Sequence, residues 1–236
     1  MGEPVDAVLF DFSGTLMRAE PPVRRVSVVL AEAGISVPDA EIHDWAGRLE
    51  RSGGLPGGHY PAVIPEPFRA DWLRRDLDPS AHRAAYTGLM KNSGLPWPEL
   101  ADAIYERSTH PGGWAAYPDS LPALSALAGR GISTAVVSNI GWDPRQVLTV
   151  HGITPLVEAI LLSYEEGCCK PDPALFTKAC ARLGVEPERT LMVGDDRTAD
   201  GGAKAVGIRT FFVDPLPVTD RPDGFTAVLA EAGVVL

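Results

Sequence analysis

The chain has 236 residues, 45% of them hydrophobic and 22% charged, which is typical of a globular protein with one large domain or a core plus a smaller module. Its net charge of −10 excludes a general nucleic-acid binder, because no basic surplus remains to neutralise phosphates. No apolar run approaches the ~20 residues that span a bilayer, and residues 1–6 lack the features of a secretory signal. We therefore expect a cytoplasmic monomer or homodimer with no nucleic-acid or membrane partner; a local cation still allows a small anionic substrate.

The first predicted element is a buried strand over residues 5–12, which ends at the turn residues Ser13, Gly14 and Thr15. Further short apolar runs predict strands at residues 133–138, 159–163, 190–193 and 210–213. Helical patterns separate them, at about residues 118–130, 143–151, 173–184 and 197–206. This alternation predicts an α/β fold, in which helices cover both faces of a parallel sheet.

Residues 18–115 show a different pattern, because helical stretches follow one another without strands between them. The predicted helices cover residues 23–32, 39–51, 67–75, 81–91 and 97–108. An all-helical insert after the first strand predicts a cap module over residues 18–115. Residues 1–17 and 116–236 then form the α/β core.

Polar side chains follow the ends of several predicted strands. They are Asp11, Ser13 and Thr15, then Ser138 and Asn139, then Lys170, and finally Asp195, Asp196 and Asp200. Because the carboxyl ends of strands in such a sheet converge on one crevice, we expect these groups to meet there. Crowded carboxylates repel one another, and a divalent cation relieves the repulsion. Hard oxygen ligands of this kind suit Mg²⁺.

The motifs Asp-x-x-Gly-Thr, Ser-Asn, Lys-Pro-Asp-Pro and Val-Gly-Asp-(x)₄-Asp occur here in that order. This arrangement resembles the haloacid dehalogenase superfamily, and the helical insert is similar in position and size to the C1-type cap of that family. The resemblance implies a Rossmann-like, three-layer α/β/α core with an inserted helical cap. It also implies a hydrolase of the phosphatase type that acts on a small anionic substrate.

The resemblance assigns a role to each motif residue. Asp11 matches the nucleophile, which forms a covalent aspartyl intermediate. Thr15 matches a threonine that helps to order the first loop. Ser138, assisted by Asn139, is expected to hydrogen-bond the transferred phosphoryl group. Lys170 is expected to pair with Asp11 and with the negative charge of the substrate.

The expected magnesium site draws on two of the motifs. Asp11, the backbone carbonyl of Ser13 and Asp195 are the expected ligands. Asp196 and Asp200 are candidates for a further ligand or for a supporting position, and one of them is also suited to capping the helix that follows. The sequence does not rank these two.

Ser13 departs from the family pattern, in which a second aspartate protonates the leaving oxygen. Serine is a poor acid or base near neutral pH, and general acid–base catalysis contributes roughly 10²–10⁴ in rate. One interpretation is a phosphatase with a good leaving group or with a proton donor from elsewhere in the chain. The candidate donors are His43, Glu50, His59, His110, Glu165 and Glu166.

Other interpretations of Ser13 stay open. A 2-haloacid dehalogenase needs no proton donor, since halide leaves unprotonated, but dehalogenases of this family usually lack the motif carboxylates that this chain retains. A phosphonate hydrolase requires a cap lysine, and Lys91 at a helix end is the only one in the insert. A catalytically weak binding or regulatory protein is the third alternative.

Two groups of side chains in and near the insert are candidates for substrate contacts. Arg18, Arg24 and Arg25 suit an anionic substrate tail, or else a solvated helix face. Aromatic side chains suit a pocket lining, or else the core of the cap. These are Tyr60, Phe68, Trp72, Tyr86, Trp97 and, after the Ser-Asn motif, Trp142.

Overall fold

The computed structural model describes residues 4–58 and 60–234. The candidate proton donor His59 and the ends of the predicted core, residues 1–3 and 235–236, lie outside the described residues. The described strands are β1 (Ala7–Phe10), β2 (Met17–Ala19), β3 (Trp114–Ala116), β4 (Ser133–Ser138), β5 (Ala159–Leu162), β6 (Thr190–Gly194) and β7 (Arg209–Phe212). Five of them form a parallel sheet in the order β5-β4-β1-β6-β7. The predicted α/β fold with a parallel sheet is therefore confirmed.

The register of the sheet brings three motifs to one edge. Phe10, the last residue of β1, pairs with Val136 of β4 and with Val193 of β6. Asp11 therefore leaves the sheet beside the residues that follow these two positions. The ends of β4 and β6 carry Ser138 and Asp195, so side chains far apart in sequence emerge together.

Helices cover both faces of this sheet. They are α6 (Ser120–Ala128), α7 (Arg145–Val150), α8 (Ser163–Glu166), α9 (Pro173–Leu183) and α10 (Thr226–Glu231). Phe10 belongs to one buried apolar cluster and Leu9 to another, as expected for a strand whose alternate side chains point to opposite faces. The predicted helix over residues 197–206 is instead a 3₁₀ helix, Asp200–Val206.

The insert forms a helical layer with an apolar cluster of its own, which includes Leu49, Met90 and Ile104. Its helices are α1 (Pro22–Glu32), α2 (Asp39–Arg51), α3 (Glu66–Arg74), α4 (Pro79–Asn92) and α5 (Ala101–Thr109). The strands β2 and β3 pair antiparallel where the chain enters and leaves this layer. The sequence did not predict them, because three residues are too few to show a periodic pattern.

The helical layer contacts the parallel-sheet part of the chain through the segment between α3 and α4. The Ser163 hydroxyl donates a hydrogen bond to the Asp76 carbonyl. A Cβ at Gly141 would collide with the Arg75 carbonyl, so this approach requires glycine. Within the described residues, no helix is long and apolar enough to cross a membrane.

Candidate active site

Lys170 lies at the centre of the strand-end cluster. Its Nζ is 2.6 Å from Asp11 Oδ1 and 2.6 Å from Asp200 Oδ1. Lys170, Asp11 and Asp200 are all buried, so these ion pairs are little screened by water. The predicted pairing of Lys170 with Asp11 is present in the structure, and Asp200 is a second partner.

Asn139 positions Lys170. The side-chain Nδ2 of Asn139 donates to the Lys170 carbonyl at 2.8 Å, and its Oδ1 accepts from the Lys170 amide at 2.7 Å. Both polar atoms of this side chain are therefore engaged with the lysine loop. The phosphoryl contact expected of Asn139 stays a prediction, and so does that of Ser138, which ends β4 buried at the cavity wall.

The structure separates the three aspartates after β6. Asp196 is exposed, and its Oδ1 accepts from the amides of Thr198 at 2.8 Å and Ala199 at 2.9 Å, so this carboxylate caps the following turn. Asp200 is buried, and its Oδ2 accepts from the Asp196 amide at 3.0 Å. Asp195 has no ion-pair partner within the described part of the chain and lines the cavity in front of Asp11.

The loop after Asp11 is held by its backbone. Gly14 has φ +82°, and a Cβ there would collide with the Asp195 carboxylate. Arg221 donates from Nη1 to the Gly14 carbonyl at 2.9 Å and from Nη2 to the Thr15 carbonyl. The Thr15 hydroxyl is buried without a hydrogen-bond partner among the described residues, so the ordering role expected of it stays a prediction. Ser13 lines the cavity beside Asp11.

The charges of the cluster do not balance. Asp11, Asp195 and Asp200 supply three carboxylates against the single ammonium of Lys170. Burial, together with the fields of Asp200 and Asp195, raises the pKa of Asp11 despite the opposing charge of Lys170. Burial and Asp200 likewise raise the pKa of Asp195. Burial lowers the pKa of Lys170, but the Asp11 and Asp200 carboxylates outweigh it and raise that pKa overall.

This imbalance fits a divalent cation. Within residues 4–58 and 60–234, no group of three His, Cys, Asp or Glu side chains is arranged to hold a metal by itself. Both oxygens of Asp200 are engaged, Oδ1 with Lys170 and Oδ2 with the Asp196 amide, and Asp196 caps the turn. Lys170 takes one oxygen of Asp11, so the carboxylate oxygens left for a metal are Asp11 Oδ2 and those of Asp195. Mg²⁺ is commonly held by one or two carboxylates, with waters and substrate oxygens in its other positions.

A cavity of about 840 Å³ extends from this cluster to the helical layer. Beyond the strand ends it is lined by Arg18, Glu20, Arg24, Arg25, Glu50, Tyr60, Asp76, His82, Tyr86, Trp114 and Trp142, among others. Tyr60, Tyr86 and Trp142 therefore line a pocket. The other aromatic candidates, Phe68, Trp72 and Trp97, pack in the apolar cluster of the helical layer.

Of the described candidate proton donors, Glu50 lines the cavity. The remaining four have partners elsewhere: His43 contacts the Asp39 carbonyl, and His110 Nδ1 accepts from the Gly112 amide. Glu165 pairs with Arg145, and Glu166 pairs with Lys178 and Arg182.

Sequence reasoning missed three titratable groups of residues 18–115 that line the cavity: His82, Asp76 and Glu20, the last of which pairs with Arg107. Burial, together with Arg75, lowers the pKa of His82 to about 3, so this imidazole is neutral. Burial raises the pKa of Asp76, although the charges of Arg75 and Lys170 oppose the rise. Asp76 follows α3 in a loop with no motif, and no sequence signal marked it. The effect of Lys170 on the pKa of Asp76 arises from the docking of two separate segments.

The fold and the strand-end cluster define a hydrolase of one family. The sequence profile described as "Hydrolase: haloacid dehalogenase-like hydrolase" matches residues 5–207. The chain therefore belongs to the haloacid dehalogenase-like hydrolases, as its motif order predicted.

Individual relatives sharpen this assignment. A phosphoserine phosphatase of Thermus thermophilus is 37% identical over 226 residues, which cover 88% of each chain. The mouse haloacid dehalogenase-like hydrolase domain-containing protein 3 is 36% identical over 115 residues, 48% of this chain and 46% of that protein. A solved hydrolase of the family from Deinococcus radiodurans R1, with bound phosphate and sodium, aligns with a TM-score of 0.56 at 26% identity. It covers 98% of this chain and 90% of that structure. The chain is thus a hydrolase with phosphatases among its relatives.

Proposed function

We propose that this protein is a Mg²⁺-dependent phosphatase that acts on a small phosphorylated metabolite. The observation that carries the proposal is the Lys170 ammonium, held 2.6 Å from Asp11 and 2.6 Å from Asp200 beside the unpaired Asp195. Such a cluster offers a carboxylate nucleophile together with positive charge for phosphoryl oxygens. The phosphatase named among the relatives and the bound phosphate of the Deinococcus structure support the same reaction.

In the proposed reaction, a carboxylate oxygen of Asp11 attacks phosphorus. The P–O bond of the ester breaks, and an aspartyl phosphate forms. Lys170 and the Ser138 hydroxyl bind the equatorial oxygens as negative charge develops there. Water then attacks phosphorus, the bond between phosphorus and the Asp11 oxygen breaks, and the proton from the water leaves with inorganic phosphate while the Asp11 carboxylate is regenerated.

The proposed Mg²⁺ would be held by Asp11, Asp195 and the Ser13 carbonyl, and it would supply positive charge to the phosphoryl oxygens. The excess of carboxylates over ammonium groups in the cluster supports this. Both oxygens of Asp200 are engaged, with Lys170 and with the Asp196 amide, and Asp196 caps the turn, so we propose neither as a ligand. The helical layer, residues 18–115, would act as a cap that excludes water from the cavity.

Ser13 limits the range of substrates. The departing oxygen needs a proton unless it leaves as a stable anion, and a serine hydroxyl does not supply one readily near neutral pH. We therefore propose that activated phosphates, such as acyl or aryl phosphates, are cleaved faster than alkyl phosphates. For alkyl phosphates, we propose that a carboxyl group of the helical layer donates the proton to the departing oxygen.

Phosphate release from a panel of acyl, aryl and alkyl phosphates, with Mg²⁺ and with EDTA, tests this function. The expected result is turnover with Mg²⁺, its loss with EDTA, and its loss in Asp11→Asn. Absence of metal-dependent phosphate release across the panel would contradict the proposal. Chloride release from 2-haloacids in the presence of EDTA would instead identify a dehalogenase.

A further inference from the structure

Arg25 is a buried cation in the part of the cavity that the helical layer lines. It lies on α1 with 2% of its surface exposed, and it lines the cavity. A guanidinium carries five N–H donors, and buried polar groups normally find partners. Among the described residues, Arg25 makes one hydrogen bond, from Nη1 to the Pro56 carbonyl at 3.3 Å, and its Nε makes none. Most of its donor capacity is therefore unused.

The neighbouring carboxylate does not satisfy this cation. Glu20 Oε1 is 4.0 Å from Arg25 Nε, beyond hydrogen-bond distance. Arg107 occupies both oxygens of Glu20, with Nε–Oε1 and Nη2–Oε2 distances of 2.8 Å each. Arg24 also approaches this carboxylate, with its Nε 3.4 Å from Glu20 Oε2. Three arginines thus lie within 4.0 Å of one carboxylate, and two of them, Arg24 and Arg25, line the cavity.

We propose that Arg25 binds a second anionic group of the substrate, a carboxylate or a second phosphate. This inference rests on the proposed function, because the phosphoryl group that reacts at Asp11 would occupy the part of the cavity at the strand ends. A guanidinium fork matches the oxygens of either group. Tyr86 also lines the cavity and lies within the field of Arg25, so it borders the same position.

The physical basis is desolvation. Burial, opposed by Glu20, lowers the pKa of Arg25 to about 10, which still leaves the guanidinium charged near neutral pH. An anion that enters this end of the cavity completes hydrogen bonds that water scarcely reaches. A cavity of about 840 Å³ accommodates a metabolite that extends from one end to the other.

Matched probes test the inference. They are ω-carboxyalkyl phosphates of graded length, their neutral amide counterparts, and alkanediol bisphosphates of the same lengths. In the wild type we expect the probes of fitting length that carry two anionic groups to have a KM about 10- to 100-fold below that of the amides. Hydrogen bonds to buried charges change affinity by this order. Arg25→Gln should abolish the difference, and Arg25→Lys should keep a part of it.

Arg48→Gln is the control, because Arg48 is an arginine of α2 that pairs with Asp44 and lies outside the cavity lining. It should keep the full preference. Thermal unfolding of each variant separates loss of binding from loss of the fold. If Arg25→Gln does not fold, the KM values of the charged and neutral probes in the wild type and in Arg25→Lys decide whether the anion site exists.

Calorimetric binding to Asp11→Asn separates this inference from the proposed function. An Arg25-dependent preference for charged probes, without phosphate release by the wild type, would overturn the phosphatase and keep the anion site. Equal binding of charged and neutral probes at every length would overturn the anion site, and so would a preference that Arg25→Gln retains. A preference confined to carboxylates or to bisphosphates supports the site and identifies the second group.

Discussion

The two ends of the cavity carry opposite charge imbalances. At the end formed by the strand termini, three carboxylates surround one lysine, which pairs with Asp11 and Asp200 and leaves Asp195 without an ion pair among the described residues. At the end formed by the helical layer and its entry, three arginines share Glu20. The first arrangement is suited to a bound cation and the second to a bound anion. At each end, the charge that the protein leaves uncompensated indicates the opposite charge of the group that binds there.

The largest expected effect comes from the strand-terminus end. Asp11→Asn removes the proposed nucleophile, and we expect phosphate release to fall by on the order of 10³-fold or more. Steady-state kinetics with an aryl phosphate and Mg²⁺ measures this.

Asp172→Asn is its control. This aspartate lies two residues after Lys170, but its carboxylate accepts from the Ala174 amide at 2.9 Å and caps α9. Asparagine caps a helix equally well, so activity should be unchanged. If Asp11→Asn retained the wild-type rate, the proposed reaction would be wrong.

The second effect is a gain. Ser13→Asp introduces a carboxyl at the position where the family pattern has a proton donor, and we expect alkyl phosphates to be cleaved roughly 10²-fold faster or more. Acyl phosphates should gain far less, because their leaving group needs no proton. The ratio of kcat values for the two substrate classes measures the difference.

Ser13→Ala is the companion variant. It should change neither kcat nor the ratio of kcat values for the two substrate classes, because the proposed metal contact uses the backbone carbonyl of residue 13. A large loss in Ser13→Ala would mean that the hydroxyl itself takes part in the reaction.

The sequence predicted the strand-terminus end well and the other end poorly, for a physical reason. Asp11, Asp195 and Lys170 follow elements whose apolar patterns are readable, and parallel strands bring their ends together whatever the loops do. The hydrogen bonds that Lys170 donates to Asp11 and Asp200 join residues 159 and 30 positions apart, yet the topology of the sheet brings them close.

The other end depends on how the helical layer packs. The pattern of α1 left open whether Arg25 faces solvent or the cavity, and only its contact with Pro56 in a later loop decided this. Asp76 and Arg221 lie in segments without motifs, and they reach the site through tertiary contacts. A single sequence contains no periodic signal for such contacts.

Asp76 provides the third test, since it is a half-buried carboxyl of the helical layer that pairs with Arg75 at 3.0 Å and lies within the field of Lys170. If it donates the proton that Ser13 does not, Asp76→Asn should slow the cleavage of alkyl phosphates by about 10- to 100-fold and leave acyl phosphates nearly unchanged. Adding Ser13→Asp to Asp76→Asn should then restore the rate of alkyl phosphate cleavage. A uniform loss across both substrate classes would indicate instead a role in docking the two layers.

The matched control is Asp78→Asn. Its carboxylate accepts from the amides of Ser80 at 2.8 Å and Ala81 at 3.2 Å, at the start of α4. Asparagine preserves that cap, so neither substrate class should respond.

The smallest effect we expect concerns Arg221, which acts through the loop that carries Asp11. Its guanidinium lies 3.2 Å from the ring centroid of Tyr117 and donates to the carbonyls of Gly14 and Thr15. Arg221→Gln should lower kcat roughly 10-fold at nearly constant KM, because small displacements of a nucleophile cost rate more than binding. Arg221→Lys should recover part of the loss.

The surface variant Arg145→Gln, at an exposed pair with Glu165, controls for a general loss of positive charge. Stability must be followed with the rates, since Arg221 is itself buried and its removal leaves two carbonyls unpaired. A variant that unfolds at lower temperature but keeps kcat would show that Arg221 stabilises the fold without positioning Asp11. A fall in kcat without a fall in stability would show that Arg221, which lies 207 positions from Gly14 in the sequence, positions the loop that carries Asp11.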